Sequence, residues 1–196
     1  MIVSKKKKIG AQVQVDIHSE IVERCRRGDH KAQYRLYKLY AAAMFNICLR
    51  MMNSREEAED MLQEAFADAF RRLNSFRYES SFGSWLKRIV INHCINELKR
   101  RKANLEFFED MGNYDGKSDE EESGYEQGLS VEKVKEAMKA LPEGSRMIFS
   151  LYLLEGYDHR EIAQILNTSE SNSKSQYMRA KRRVREILKE NIYETG

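Results

Sequence analysis

Between residues 171 and 185 the chain places six Lys/Arg, namely Lys174, Arg179, Lys181, Arg182, Arg183 and Arg185, and no Asp or Glu. A solvated helix usually interleaves opposite charges three or four residues apart and gains stability from those pairs. A run of one sign at helical spacing instead presents cations to a polyanion. In the same stretch Ser173, Tyr177, Ala180, Val184 and Ile187 recur at spacings of four, three, four and three. One face is therefore mostly apolar, and the polar and basic residues occupy the rest of the circumference. Lys174, Gln176 and Arg179 are candidates for base edges in a major groove, where Arg suits guanine and Gln suits adenine. Asn172, Ser175 and Lys181 share that polar surface, and Arg182, Arg183 and Arg185 suit phosphate.

A helix that reads DNA must be held at a fixed angle by a partner. Just upstream, "DHREIAQILN" reads as a short helix in which Ala163 supplies a small residue for a close crossing. Asn167 follows it, a residue type that tolerates the left-handed conformation of a tight turn. Short helix, sharp turn and basic helix form a helix-turn-helix pattern. "VEKVKEAMKALPEGSRMIFSLYLLEG" supplies two further helices, broken at Pro142, which removes a donor, and closed by Gly156.

The amino-terminal part is also helical by its periodicity. "DIHSEIVERCRRGD" places Ile17, Ile21, Val22 and Cys25 on one face and stops at Gly28, and a longer apolar helix follows. In the stretch from Ser54 to Leu73, Ser54 and Glu57 have capping-box spacing, and Ala58, Met61, Leu62, Ala65, Phe66, Ala69, Phe70 and Leu73 form a stripe. Glu56, Glu59, Asp60, Gln63, Glu64 and Asp68 hold the opposite face. The loop "NSFRYESSFGS" leads into "WLKRIVINHCINELKRRK", which ends in four consecutive bases.

The whole chain of 196 residues carries a net charge of +3, with one Pro and ten Gly. So few turn formers favour an all-α fold over a sandwich or barrel. The charge is unevenly spread: residues 1–103 carry 21 Lys/Arg against 12 Asp/Glu, residues 104–130 one against nine, and residues 131–196 twelve against ten. That layout predicts a loose basic tail at 1–15, a helical domain at 16–103, a flexible acidic linker at 104–130 and a helix-turn-helix domain at 131–192. No apolar run is long enough to span a bilayer and no signal peptide is legible, which predicts a cytoplasmic protein without membrane insertion. Cys25, Cys48 and Cys94 are far apart in apolar patterns and read as buried thiols. His18, His30, His93 and His159 lack metal spacing, and neither a glycine-rich phosphate loop nor a nucleophile elbow is present. No catalytic residue, metal or cofactor is assigned, and an enzyme is disfavoured. A free-standing dimeric regulator is the competing class; it would bind operator duplex tightly without a polymerase.

The ordered segments "NSREEAEDMLQEAFADAFRRLNSF", "SSFGSWLKRIVINHCINELKRR" and "LPEGSRMIFSLYLLEGYDHREIAQILNTSESNSKSQYMRAKRRVREIL" resemble the sigma-70-type initiation factors of bacterial RNA polymerase. The likeness is to their minimal two-domain, extracytoplasmic-function group. It implies that core RNA polymerase and promoter DNA are partners, through the clamp helices of the largest subunit and the flap region, and it leaves room for an anti-sigma protein. By this resemblance Asp60, Gln63, Glu64 and Asp68 with Arg71 face the clamp helices, and residues 76–100 bind and open the promoter -10 element. For that task Trp85 suits stacking at the fork, while Ser80, Ser81 and Phe82 suit a pocket for a flipped base. Asn92 and Asn96, four apart, suit base edges, and Lys87, Arg88, Lys99, Arg100 and Arg101 suit phosphate. The basic helix at 172–188 is assigned to the -35 element. Two departures stand out: Ser173 replaces an aliphatic packing residue, and Gln176 stands where Arg is frequent.

Overall fold

The computed structural model describes residues 18–101 and 131–193, and the described residues are helical, without strands. The expected basic tail at 1–15 and acidic linker at 104–130 lie outside the described residues.

The first helical group begins with α1 (Ser19–Arg26), which buries Val22 and Cys25. Gly28 then turns the chain at φ +82, a conformation that costs glycine little. Asp29 caps α2 (His30–Met52) by accepting from the Lys31 and Ala32 amides at 2.9 and 3.1 Å. Its other oxygen takes two bonds from the Arg24 guanidinium, which holds the Asp29 carboxyl below the usual range. Ser54 caps α3 (Arg55–Arg71), its Oγ accepting from the Glu57 amide at 3.4 Å. The sequence spacing predicts a reciprocal box there, but the Glu57 carboxylate instead meets Arg101 at 2.7 Å. The complete box forms at Asp158 and Glu161.

Along α3 the stripe Ala58, Met61, Leu62, Ala65, Phe66 and Ala69 is buried, as a 3.6-residue period requires. A short turn at Leu73–Ser75 leads to α4 (Phe82–Arg101), which packs against both α2 and α3. Eight α4 side chains from Phe82 to Leu98 are buried, making it the central helix of this group. Its entry is tight: a Cβ on Gly83 would lie 2.9 Å from Tyr40 Cε1, so only glycine lets α4 approach α2 this closely. All three cysteines are free and buried. Contact with Cys48 together with burial pushes the Cys94 thiol well up, which keeps it protonated and unreactive.

The second group comprises α5 (Val131–Lys139), α6 (Glu143–Leu153), α7 (His159–Leu166) and α8 (Glu170–Tyr193). As the sequence predicts, the chain breaks at Pro142 and turns at Gly156, where φ is +77. Ala137, Met138, Leu141, Phe149, Ala180, Val184 and Leu188 form one apolar cluster within it. Every residue from Ser145 to Leu151 of α6 is buried, which one packing face cannot achieve. The helix is covered by α8 on one side and by α2 of the first group on another. Met147, Ile148 and Leu151 accordingly belong to the apolar cluster of the first group.

Candidate nucleic-acid and polymerase interfaces

The turn between α7 and α8 is fixed by local bonds. Asp158 Oδ1 accepts from the Glu161 amide at 2.8 Å, while Glu161 Oε2 accepts from the Asp158 amide at 2.9 Å, so the start of α7 is doubly satisfied. Asn167 closes α7 in the left-handed conformation at φ 55, and Ala163 is buried behind it. Ser169 Oγ accepts from the Asn172 amide at 3.0 Å, and Asn172 Nδ2 donates to Thr168 Oγ1 at 2.8 Å. These bonds tie the start of α8 to the turn.

The rotation corrects the sequence reading at one position. Gln176, expected on the base-reading face, is only 4% exposed, and its Oε1 accepts from Ser145 Oγ at 3.3 Å. It faces inward because the buried stripe runs Ser173, Gln176, Ala180, Val184 and Leu188, a slight rotation from the stripe read in the sequence. Lys174, Arg182, Arg183 and Arg185 are exposed, and Asn172, Ser175, Arg179 and Lys181 are half-exposed. The acids flanking the basic run pair with it: Glu170 with Lys174 at 2.6 Å, and Glu186 with Arg183 at 3.1 Å. Such exposed intrahelical pairs contribute only about 0.2–0.5 kcal/mol each, so a phosphate can displace them.

Ser173 is fully buried, and its Oγ lies 3.0 Å from His159 Nδ1. The imidazole stacks on Tyr152, with ring centroids 4.4 Å apart, and meets Tyr177 edge-on. Burial lowers the His159 pKa, with Lys174 adding to the effect. A polar pair thus occupies the place of the aliphatic contact.

In the first group, Asp60, Gln63 and Glu64 are exposed along α3, and Arg71 is exposed at its end. Asp68 is half-buried and lies 3.4 to 3.5 Å from Arg71, Arg72 and His93. His93 reaches across from α4 and also lies 3.6 Å from Glu64. Sequence reasoning passed over His93 because nothing in its linear spacing links it to α3. A cavity of about 260 Å³ lined by Glu64, His93, Asn96, Glu97 and Arg100 joins the acidic face of α3 to α4.

On α4 the residues Arg88, Asn92, Asn96, Lys99 and Arg100 are exposed, with Ser80 and Ser81 exposed in front of the helix. Ser81 Oγ accepts from the Ser84 amide at 3.2 Å and so caps α4. Phe82 is a second correction. It is fully buried, with ring centroids 5.2 Å from Tyr40 and 5.7 Å from Phe76, and cannot line an open pocket. Trp85 packs on Phe76 and Phe82 but stays partly exposed. Glu97 takes two bonds from Arg100 at 2.8 and 2.9 Å and one from Arg101, and these hold its pKa down to about 2. Lys87 is half-buried and turned toward Glu155 of the second group.

Among the described residues no group of His, Cys, Asp or Glu is placed to hold a metal ion, and no helix is long and apolar enough to cross a membrane. The sigma-70 region 2 family matches residues 36–104, and the sigma-70 region 4 family matches residues 131–184. The RNA polymerase sigma-H factor of Pseudomonas aeruginosa is 31% identical over 86% of this chain and 92% of its own length. The extracytoplasmic-function RNA polymerase sigma-E factor of Haemophilus influenzae is 33% identical over 88% of this chain and 93% of its own. In fold, the chain is similar to the sigma factor RpoE solved in complex with the anti-sigma factor NepR from Bartonella quintana. The TM-score is 0.53 at 22% identity, over 80% of this chain and 96% of that one. Two matched regions in order, near-full-length relatives and a pinned helix-turn-helix place the chain in the sigma-70 family, extracytoplasmic-function group, whose members bind core RNA polymerase, recognise promoter elements and initiate transcription without being enzymes.

Proposed function

We propose the following division of labour. The unit at 16–103 holds core polymerase through Asp60, Gln63, Glu64, Asp68 and Arg71 on its clamp helices, and the unit at 131–192 lies near the flap region. Residues 1–15 serve as a basic tail and 104–130 as the linker that lets the two units sit apart. Trp85, Ser80 and Ser81 engage the opening -10 element, with Asn92 and Asn96 on base edges and Lys87, Arg88, Lys99 and Arg100 on phosphate. Asn172, Lys174, Ser175, Arg179, Lys181, Arg182 and Arg183 engage the -35 duplex.

The observation that carries this reading is α8. A helix whose first turn is pinned by Ser169, Thr168 and Asn172 directs an exposed basic face outward, the geometry a major-groove reader needs. The protein works in the cytoplasm, where polymerase and promoters are, and an anti-sigma protein that holds it inactive is the further partner, as one accompanies the Bartonella relative. Mixing the purified chain with core polymerase on promoter fragments tests the reading. A stable complex and a transcript from one start site are expected. Tight binding to duplex by a dimer without polymerase would overturn it in favour of a free-standing regulator.

A further inference from the structure

Arg26, in the last turn of α1, reaches from its own helix to the segment between α3 and α4. Its Nε donates to the Leu73 carbonyl at 3.3 Å and its Nη2 to the Phe76 carbonyl, while Nη1 pairs with Glu23 at 2.6 Å. Glu23 Oε1 also accepts from the Tyr78 hydroxyl at 2.7 Å, and the guanidinium carbon lies 5.1 Å from the centre of the Tyr78 ring. One planar fork thus satisfies two backbone carbonyls and an aromatic ring at once, which an ammonium cannot match. Tyr78 itself sits at φ 58, in the left-handed region that a bulky residue enters only when its surroundings compel it. The Phe76 ring carries this anchorage onward, packing on Tyr78 with centroids 4.6 Å apart and on Trp85 at 5.3 Å. Helix α1 lies ahead of residues 36–104, which the sigma-70 region 2 family matches, so nothing in that match accounts for the contact.

We propose that Arg26 is a positioning residue for promoter opening, and that α1 braces the segment in front of α4 through it. With Glu23, Arg26 holds residues 73–78 in the one conformation that seats Phe76 against Trp85. The proposal rests on the reading of Trp85, Ser80 and Ser81 as the residues that engage the opening -10 element. A segment ordered before the strands part loses no conformational entropy at the moment it captures an unpaired base. Without the guanidinium, Tyr78 relaxes to negative φ, Phe76 leaves Trp85, and the unpaired bases must order the segment themselves. Closed binding through α8 and attachment to polymerase through α3 use neither Arg26 nor Tyr78, so the loss falls on opening alone.

Trp85 is the sole tryptophan, so its fluorescence reports this segment directly. In the free full-length chain, Arg26→Gln should raise acrylamide quenching of Trp85 about twofold, with helical circular dichroism at the parent level. In the complex with core polymerase it should slow promoter opening, followed with permanganate, about tenfold, the loss expected for charge-assisted bonds to two carbonyls. Affinities for polymerase and for a duplex -35 fragment should stay within about twofold of the parent. Arg26→Lys keeps the charge without the fork and should recover opening in part. Tyr78→Phe deletes only the hydroxyl bond to Glu23 and should slow opening about two- to threefold, so the test stands even if Arg26→Gln does not fold. Unchanged quenching in these variants, or equal losses in polymerase binding, -35 binding and opening, overturns the proposal. If quenching rises and the Arg26 and Tyr78 variants open promoter at the parent rate while Trp85→Ala does not, the brace is wrong and the reading of Trp85 stands. If Trp85→Ala also opens promoter at the parent rate, the -10 reading itself fails and the proposal with it.

Discussion

Ser173 Oγ and His159 Nδ1 face each other at 3.0 Å inside the helix-turn-helix, where Ser173 is fully buried. The bond ties the first turn of α8 to the first residue of α7. Ser173→Ala leaves the ring nitrogen without that partner, a loss of about 1–3 kcal/mol for a buried polar group. Chemical denaturation of the full chain should move to lower midpoint at unchanged slope. An unaltered midpoint would show that the pair contributes nothing to the fold.

The same histidine predicts a pH effect. Burial lowers the His159 pKa, so the folded chain prefers the neutral ring, and between the folded and unfolded values the unfolded chain binds more protons. This contribution is fully present above the unfolded value of about 6.5 and is lost as pH falls through the folded one. Melting temperature should drop from pH 7 to pH 5 more in the parent than in His159→Gln. Lys174, Glu170 and Asp158, which also act on the ring, are common to both chains and cancel in the comparison.

Gln176 and Arg179 should separate packing from reading. Gln176→Ala opens a void beside Ser145 and should cost about 1–2 kcal/mol, leaving the base preference at the -35 element unaltered. Arg179→Glu should leave the melting temperature within about 2 °C, a surface change of at most about 0.5 kcal/mol, and weaken duplex -35 binding at least tenfold. A changed -35 preference in Gln176→Ala would contradict its buried placement.

Phe82 and Trp85 should likewise part company. Phe82→Ala removes a fully buried ring and should destabilise the chain by about 3–5 kcal/mol. Trp85→Ala should cost less stability and should slow promoter opening more than closed binding, measured with permanganate footprinting against band shift. Equal losses in both steps would count against a stacking role.

Gly83→Ala places a methyl 2.9 Å from Tyr40 Cε1. The Tyr40 ring cannot swing aside freely, because its hydroxyl bonds His18 at 2.7 Å and the ring packs against Phe82 with centroids 5.2 Å apart. Overpacking of this kind costs about 1–3 kcal/mol. Calorimetry should register the loss, and pairing with Tyr40→Leu should recover part of it.

The sequence alone determined the helices, their breaks at Gly28, Pro142 and Gly156, the left-handed Asn167 and the two-part plan, because periodicity, propensity and turn chemistry act over a few residues. It also determined the family, through motif order. Which way α8 is rotated was decided only by packing: a rotation small on the sequence wheel moved Gln176 from the outer face to the core. Phe82 was misplaced for the same reason, since an aromatic ahead of a helix has one linear context whether it meets solvent or Tyr40 and Phe76. His93 beside Glu64 and Asp68, and Arg50 and Lys87 around Glu155, join residues 25 to 105 positions apart. No local pattern carries such pairings, because they arise from helices laid side by side after the chain has folded.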